Sequence, residues 1–152
     1  IDWAVLSELG PAPRVRIETD RGEMFVRLFA EQAPLSVQAF VNDVRRGAHD
    51  GARFHRVVSN FVAQGGDFGM GDGGGVAGYQ IRSEFTQLPF QRGVLGLASA
   101  GKDTEGSQFY LTHSIQPNLD GGYAAFGWVE QGADVLDRIQ QGDQVIRMTV
   151  ED

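Results

Sequence analysis

Short segments in which apolar and polar residues alternate recur along the whole chain. Residues 15–19 read Val-Arg-Ile-Glu-Thr, an alternation typical of a strand with one buried face. Asp20-Arg21-Gly22 then predicts a hairpin turn, after which residues 23–29 return as a second strand. The same reading predicts further strands at residues 53–58, 60–64, 93–99, 107–112, 125–129 and 145–150. The pattern therefore predicts about eight short strands.

Two segments instead show helical spacing of their apolar residues. Pro34 opens the first, Gly47 can end it, and its apolar residues are Val37, Phe40, Val41 and Val44. Residues 132–141 predict a second, shorter helix that Gly142 can end. Many short strands joined by glycine turns favour a mainly β protein with a closed eight-stranded antiparallel barrel, because closure removes the sheet edges. We expect the two helices to cover the open ends of this barrel.

Length and composition set the domain organisation. The 152 residues suit one domain, and residues 1–13 are expected to form a lead-in or linker that stops at Gly10-Pro11-Ala12-Pro13. Residues 14–152 are then the folded domain, which we expect to be monomeric. The first residue is Ile1, so a processed product or an excised domain is expected. No apolar run approaches the length of a membrane span, and membrane insertion is not expected.

Charge argues against a nucleic-acid partner. The net charge of −7 disfavours binding to a phosphate backbone, which needs clustered Lys and Arg. Four arginines nonetheless lie close in sequence, and a basic patch stays open as a minor alternative: Arg45, Arg46, Arg53 and Arg56. The chain has no cysteine, which excludes a disulfide framework and a thiol nucleophile.

Three segments carry the most specific information in the chain. Residues 54–68 read FHRVVSNFVAQGGDF, residues 106–112 read GSQFYLT, and residues 118–127 read NLDGGYAAFG. Together and in this order they resemble the cyclophilin family of peptidyl-prolyl isomerases. The resemblance covers residues from about 15 to 150, and it independently implies an eight-stranded antiparallel barrel with a helix at each end. It also implies an enzyme that accelerates rotation about X-Pro bonds and assists protein folding.

The chemistry of this reaction makes no demand for a nucleophile, a metal or a cofactor. Amide resonance creates a barrier of ~18–20 kcal/mol, and a catalyst must bind the twisted amide better than the planar one. An apolar pocket for the proline ring, a donor to the proline nitrogen and backbone contacts to the flanking peptide would achieve this. Arg56 fits the donor role, because a guanidinium stays charged and presents a rigid set of donors. By itself, an arginine on a strand would more often pair with a surface carboxylate.

The resemblance implies the remaining site residues. It assigns catalysis to Arg56, Phe61 and Gln64, and Gln64 could orient either the arginine or the substrate. The implied substrate-binding residues are Phe61, Val62, Gly73, Ala98, Ser99, Ala100, Gln108, Tyr110, Asn118, Leu119 and Tyr123. Phe61, Val62 and Gln64 cannot share one face of a regular strand, so we expect a bend or bulge near Asn60-Phe61.

Five of these positions depart from the most familiar eukaryotic pattern of the family. Asn118 replaces a tryptophan, Tyr123 a histidine, Val62 a methionine, Tyr110 a phenylalanine and Ser99 an asparagine. Tyrosine at position 123 resembles the bacterial-type relatives. Because the family's tryptophan hydrogen-bonds cyclosporin, binding of that drug is expected to be weak. The Tyr110 hydroxyl lies in an apolar pocket and needs a partner or a water.

Two functional alternatives stay open. The main one is a non-catalytic module that binds or scaffolds proline peptides, and the presence of Arg56 favours the enzyme over it. The other is an appendage within a longer chain. For the isomerase as for the binding module, the expected partners are proline-containing peptides and unfolded or partly folded proteins. The compartment stays open between the cytoplasm and, for an excised bacterial domain, the periplasm or cell envelope.

Other chemistries find little support in the sequence. The glycine-rich residues 71–75 lack the Gly-Lys-Ser/Thr ending of a phosphate loop, and Asp67 and Asp72 lack the spacing of a calcium loop. The histidines lack metal-site spacing, and His55 is expected to be a structural hydrogen-bonding residue beside Arg56. Ser107 has no nucleophile elbow around it.

Overall fold

A computed structural model describes residues 2–68, 79–99, 103 and 105–151. Its eight strands are β1 Arg14–Thr19, β2 Gly22–Leu28, β3 Arg56–Val58, β4 Val62–Gly65, β5 Val94–Leu97, β6 Phe109–Thr112, β7 Ala124–Gln131 and β8 Val145–Glu151. The helices are α1 Trp3–Leu9, α2 Pro34–Arg45 and α3 Ala133–Arg138, with a 3₁₀ helix at Pro117–Leu119. The predicted mainly β fold with eight strands is confirmed, and so are the two predicted helices, as α2 and α3.

The strands form one antiparallel sheet in the order β3-β4-β6-β5-β7-β2-β1-β8. The sheet curls until its two ends meet. Residues 51–54, just before β3, exchange backbone hydrogen bonds of 2.8–2.9 Å with residues 142–145, which lead into β8. This link is the physical basis for the barrel that the strand count predicts, since it pairs backbone groups next to the sheet edges.

The interior of the barrel holds the main core. In β1 and β2 every second side chain is buried, as the alternating pattern predicts. Helix α2 packs its apolar face onto this core, and α3 adds Val135 and Leu136. The first turn of α2 has no side-chain cap of its own. The Glu84 carboxylate instead accepts hydrogen bonds from the N–H groups of Leu35 at 2.9 Å and Ser36 at 2.6 Å.

Helix α1 lies within the segment that the sequence predicts as a lead-in, and the alternation pattern does not predict it. Asp2 caps it by accepting hydrogen bonds from the N–H groups of Ala4 and Val5. Leu6 is buried against the main core, and Glu8 pairs with Arg45 of α2. The predicted domain boundary at residue 13 stays a prediction.

The middle strands are buried on both faces, and this explains where the site can form. All four residues of β5 and all four of β6 are buried. One face contributes Leu95, Leu97 and Phe109 to the main core, while the other belongs to a second, separate cluster. That cluster consists of Val62, Phe90, Val94, Tyr110, Leu119 and Ala125, with Phe61, Leu88, Ala98 and Tyr123 packed against it. It covers the outer face of the sheet.

Candidate active site

A row of paired residues crosses four strands and forms the floor of the site. Arg56 of β3 lies opposite Gln64 of β4, and Gln64 lies opposite Tyr110 of β6. Tyr110 in turn lies opposite Gly96 of β5. Because side chains alternate between faces, residues paired in this way project to the same side of the sheet. The antiparallel register therefore places a cation, an amide and an aromatic ring side by side.

A cavity of about 170 Å³ lies over this row. Its lining joins the row to the 3₁₀ helix, to the end of β5 and to the turn between β3 and β4. The nine lining residues are Arg56, Phe61, Val62, Gln64, Ala98, Ser99, Tyr110, Leu119 and Tyr123. Val62, Tyr110 and Leu119 are buried, so much of the wall is apolar, while Arg56 is exposed. The cavity thus combines an apolar wall with one exposed cation at its edge.

A larger groove runs along α2, but the buried carboxylate beside it already has hydrogen-bond partners. It has a volume of about 460 Å³. The buried Asp43 carboxylate beside it pairs with Arg46 at 3.0 Å and accepts a hydrogen bond from the Tyr79 hydroxyl. Among the residues that the structure describes, these contacts leave the groove no free buried polar group to bind a ligand, so the smaller cavity is the better candidate site.

The arginine is held by a relay of two amides. The Arg56 Nη1 donates to the Gln64 side-chain oxygen at 3.3 Å, and the Gln64 Nε2 donates to the Gln108 side-chain oxygen at 3.1 Å. The guanidinium carbon lies 5.9 Å from the centre of the Phe61 ring. Among the described residues, Arg56 forms no ion pair with a carboxylate. Its other donors therefore stay available toward the cavity.

Phe61 reaches the cavity from a turn rather than from a strand. Val58 pairs with Val62, so residues 59–61 form a three-residue connection between β3 and β4. Asn60 has a φ of 59°, a left-handed conformation that asparagine tolerates better than most residues. The bend predicted near Asn60-Phe61 is present, and it lets Phe61 join Val62 and Gln64 in one lining.

Tyr110 is buried in the site between two other aromatic rings. Its ring stacks on Phe90 with centroids 5.7 Å apart and meets Tyr123 edge-on at 6.1 Å. A Cβ at Gly96 would lie 2.6 Å from the Tyr110 Cζ, so only glycine leaves room for the phenol. The hydroxyl has no hydrogen-bond partner among the described residues. Burial raises the pKa of Tyr110 above its ordinary value, and the neighbouring Tyr123 adds to this shift.

Comparisons with known proteins identify the family of this chain. Residues 14–151 match the model of the cyclophilin type peptidyl-prolyl cis-trans isomerase/CLD family. A peptidyl-prolyl cis-trans isomerase of Helicobacter pylori is 41% identical over 141 residues, which are 90% of this chain and 85% of that protein. The chain belongs to the cyclophilin-type peptidyl-prolyl cis-trans isomerases.

Further relatives agree in sequence and in structure. Peptidyl-prolyl cis-trans isomerase B of Bacillus subtilis is 39% identical over 135 residues, covering 87% of this chain and 93% of that one. A Cryptosporidium parvum cyclophilin crystallised in the presence of the dipeptide Ala-Pro has a TM-score of 0.85 at 29% identity. That match covers 91% of this chain and 99% of the other. The predicted family, the fold and the class of enzyme, a peptidyl-prolyl cis-trans isomerase, are confirmed.

The structure brings most of the predicted cyclophilin site residues together. Nine of them line the cavity. Gln108 contributes through its bond to Gln64, and Asn118 is exposed on the 3₁₀ helix without lining the cavity. Gly73 and Ala100 lie outside the described residues. The catalytic and binding roles themselves stay predictions.

Sequence reasoning missed two residues that shape this site. Phe90 is buried beneath the Tyr110 ring, and its N–H donates to the Asp120 carboxylate at 2.7 Å. Gly96 makes room for that ring, and the pairing of β5 with β7 shifts register between Leu95 and Gly96. A glycine inside a strand pattern indicates a bulge or a close approach, and this could have pointed to Gly96. No local pattern indicates Phe90.

Other predictions about polar groups have mixed outcomes. The expected structural hydrogen bonds of His55 are absent, since neither ring nitrogen has a partner among the described residues. Ser107 donates to the Gly66 carbonyl at 2.6 Å, a structural role. Within the described part of the chain, no cluster of three or more His, Asp or Glu could hold a metal, and no helix is long and apolar enough to span a membrane. The glycine-rich segment at 71–75, which the sequence argues against as a phosphate loop, lies outside the described residues.

Proposed function

We propose that the cavity binds the proline ring of a peptide and that Arg56 stabilises the twisted X-Pro amide. The position of the Arg56 guanidinium and its lack of an ion-pair partner among the described residues carry this proposal. The guanidinium lies at the edge of a partly apolar cavity, is held through Gln64, and has no carboxylate partner in the described part of the chain. An arginine with a purely structural role would more often be paired, as Arg21 is with Asp143 at 2.7 Å.

The proposed mechanism follows from what changes during rotation. As the amide twists, resonance is lost and the lone pair of the proline nitrogen becomes an acceptor. A donor placed beside that nitrogen binds the twisted state better than the planar one, which lowers the barrier. Arg56 is the donor, Gln64 orients it, and the wall formed by Phe61, Val62 and Leu119 holds the ring while the preceding residue rotates. No proton transfer and no covalent intermediate is involved.

We assign the substrate residues that precede proline to the side of the cavity formed by Ala98 and Ser99. Ala98 and Ser99 follow β5 beside the cavity, and their small side chains let a peptide backbone approach. The Ala-Pro dipeptide used with the Cryptosporidium parvum protein supports a small residue before proline as a first substrate to try. We propose unfolded or partly folded proteins with exposed X-Pro bonds as the natural partners, and a monomer as the active form.

Cyclosporin is expected to bind weakly. Asn118 is exposed beside Leu119 and offers neither the indole N–H nor the apolar surface of the tryptophan that the family resemblance leads us to expect there. Titration of cyclosporin against wild type and Asn118→Trp tests this assignment. Tighter binding by the variant supports it, and equal affinity removes Asn118 from the drug contact.

A peptide titration tests the pocket. We would add a peptide containing Ala-Pro to ¹⁵N-labelled protein and record which amides shift. Amides of residues 61–64 and 108–110 are expected to shift, and Phe61→Ala should weaken binding by about tenfold, because the ring loses an apolar wall. Shifts confined to the groove along α2 would contradict the proposed site. Binding without catalysed exchange would favour the non-catalytic binding module.

A further inference from the structure

The position of Phe61 depends on a turn with an unusual backbone. Asn60, directly before it, has a φ of 59°. Asparagine tolerates this conformation better than most residues other than glycine, yet the conformation is uncommon and persists where its surroundings hold it. Asn60 and Ser59 are exposed, so no burial of their side chains fixes the turn. The Phe61 N–H donates to the Val58 carbonyl at 3.0 Å within the turn, and further hydrogen bonds from outside the turn restrain the direction in which Phe61 projects.

Residues 113–116, which follow β6, bind the two carbonyls at the tip of this turn. The Ser114 hydroxyl donates to the Asn60 carbonyl at 2.8 Å, and the Gln116 Nε2 donates to the same oxygen at 3.1 Å. The Gln116 Nε2 also donates to the Ser114 hydroxyl at 2.8 Å, which closes a small triangle. The N–H of His113 donates to the Phe61 carbonyl at 2.8 Å.

Gln116 also contacts the opposite wall of the site. Its backbone N–H donates to the Phe90 carbonyl at 2.7 Å. The Phe90 ring supports Tyr110 from below. One residue is thereby bonded to the turn that carries Phe61 and to the segment that backs Tyr110, although Gln116 itself does not line the cavity.

We propose that Ser114 and Gln116 are positioning residues that set the width of the proline pocket through the Asn60 carbonyl. This inference rests on the proposed function, since it assumes that Phe61 contacts the proline ring. Two donors on one carbonyl oxygen hold the plane of the peptide bond between Asn60 and Phe61. The direction of the Phe61 side chain follows from that plane. Without the donors, this peptide unit keeps the bond from the Phe61 N–H to the Val58 carbonyl at 3.0 Å, but its carbonyl can tilt toward water and the ring can shift from its place over the cavity.

Kinetics of substituted proteins test the inference. Variants Ser114→Ala, Gln116→Ala and the double variant should raise KM for an Ala-Pro peptide, by about two- to tenfold for each lost hydrogen bond. The kcat should change less, because Arg56 and Gln64 are untouched. Ser114→Thr keeps the hydroxyl and should restore a KM close to wild type. Gln87→Ala is the matched control, since Gln87 is exposed and has no hydrogen bond within the described chain.

A second variant keeps the test decisive if the double variant does not fold. Gln116→Glu keeps the shape of the side chain but replaces the Nε2 donor by a negatively charged acceptor facing the Asn60 carbonyl. It should raise KM at neutral pH and shift the ¹³C resonances of the Phe61 ring. A KM within twofold of wild type together with unchanged Phe61 resonances in this variant would overturn the inference.

The outcome for the wild type separates the two proposals. If the wild type does not accelerate exchange, the proposed catalytic role of the site fails first. If the wild type is active and Gln116→Glu is equally active with the same KM, only the positioning role fails. A raised KM in Gln116→Glu and Ser114→Ala, with rescue by Ser114→Thr, supports both.

Discussion

The phenol ring of Tyr110 occupies the space that a side chain at Gly96 would need. The two residues are opposite each other on neighbouring strands, and a Cβ at Gly96 would lie 2.6 Å from the Tyr110 Cζ and 2.8 Å from a carbon of the Phe90 ring. The Tyr110 ring cannot move aside freely, because Phe90 and Tyr123 contact it. The aromatic wall of the pocket therefore depends on a residue with no side chain.

This relationship predicts the effect of Gly96→Ala. Forcing one methyl group under two packed rings should cost about 1–3 kcal/mol of the free energy of unfolding and should also lower isomerase activity, because Tyr110 is displaced into the cavity. Urea unfolding and peptide exchange measure the two effects. Gly122→Ala is the control, since a Cβ there would approach no atom closer than 3.9 Å. Equal stability and activity of both variants would contradict this packing.

Removal of the Tyr110 hydroxyl should stabilise the protein. That hydroxyl is buried and has no partner in the described part of the chain, so Tyr110→Phe removes a polar group that folding leaves unsatisfied. The expected gain is about 1 kcal/mol in the free energy of unfolding. Tyr79→Phe is the contrasting variant, because it deletes a hydroxyl that donates to the Asp43 carboxylate, and it should destabilise. A loss of stability in Tyr110→Phe would show that a water satisfies the hydroxyl.

Gln64 should act on the reaction through Arg56. Gln64→Leu removes the 3.3 Å contact to the guanidinium and the 3.1 Å contact to Gln108. We expect kcat/KM to fall about tenfold, which corresponds to ~1.4 kcal/mol. A double-mutant cycle with Arg56→Lys measures the coupling, and the two losses should be less than additive. Strict additivity would mean that Gln64 acts on the substrate independently of Arg56.

His49 should make the fold sensitive to acid. The ring is buried among Phe40, Phe68 and Phe109, and neither nitrogen has a partner within the described residues. Burial, with a smaller contribution from the positive Arg46, lowers the pKa of His49 from 6.5 to about 3.

The direction of the pH effect on stability follows from the difference between the pKa values of His49 in the unfolded and folded chain. The unfolded chain binds a proton near pH 6.5 that the folded protein does not bind until about pH 3, so stability is complete above pH 6.5 and decreases between these values. The maximal loss is about 5 kcal/mol. The unfolding free energy of wild type minus that of His49→Leu should fall as pH decreases from 6.5 to 4, since carboxylates titrate in both proteins. A difference that does not change with pH would contradict the assigned burial.

The fold was largely predictable because it depends on local patterns. Alternation revealed β1 and β2, and the bend at Asn60-Phe61 followed from the need to bring three residues of one segment into one lining. Helix α1 was not predicted, because its support is a single capping side chain and one buried leucine. Contacts between distant segments, such as Gln116 with Asn60 or Phe90 with Tyr110, do not produce any periodic pattern in the sequence. They arise only once the register of the sheet is set.

A comparison of the exchange rates that wild type and Arg56→Ala catalyse tests the central claim most directly. We would measure cis-trans exchange of an Ala-Pro-Phe peptide by NMR exchange spectroscopy with wild type, Arg56→Ala and Arg82→Ala. Arg82 is an exposed arginine outside the cavity and changes the net charge equally. We predict fast exchange with wild type and Arg82→Ala, and a loss of at least about a hundredfold with Arg56→Ala while the fold is retained. Equal exchange rates with all three proteins would contradict the assignment of Arg56 as the donor to the twisted amide.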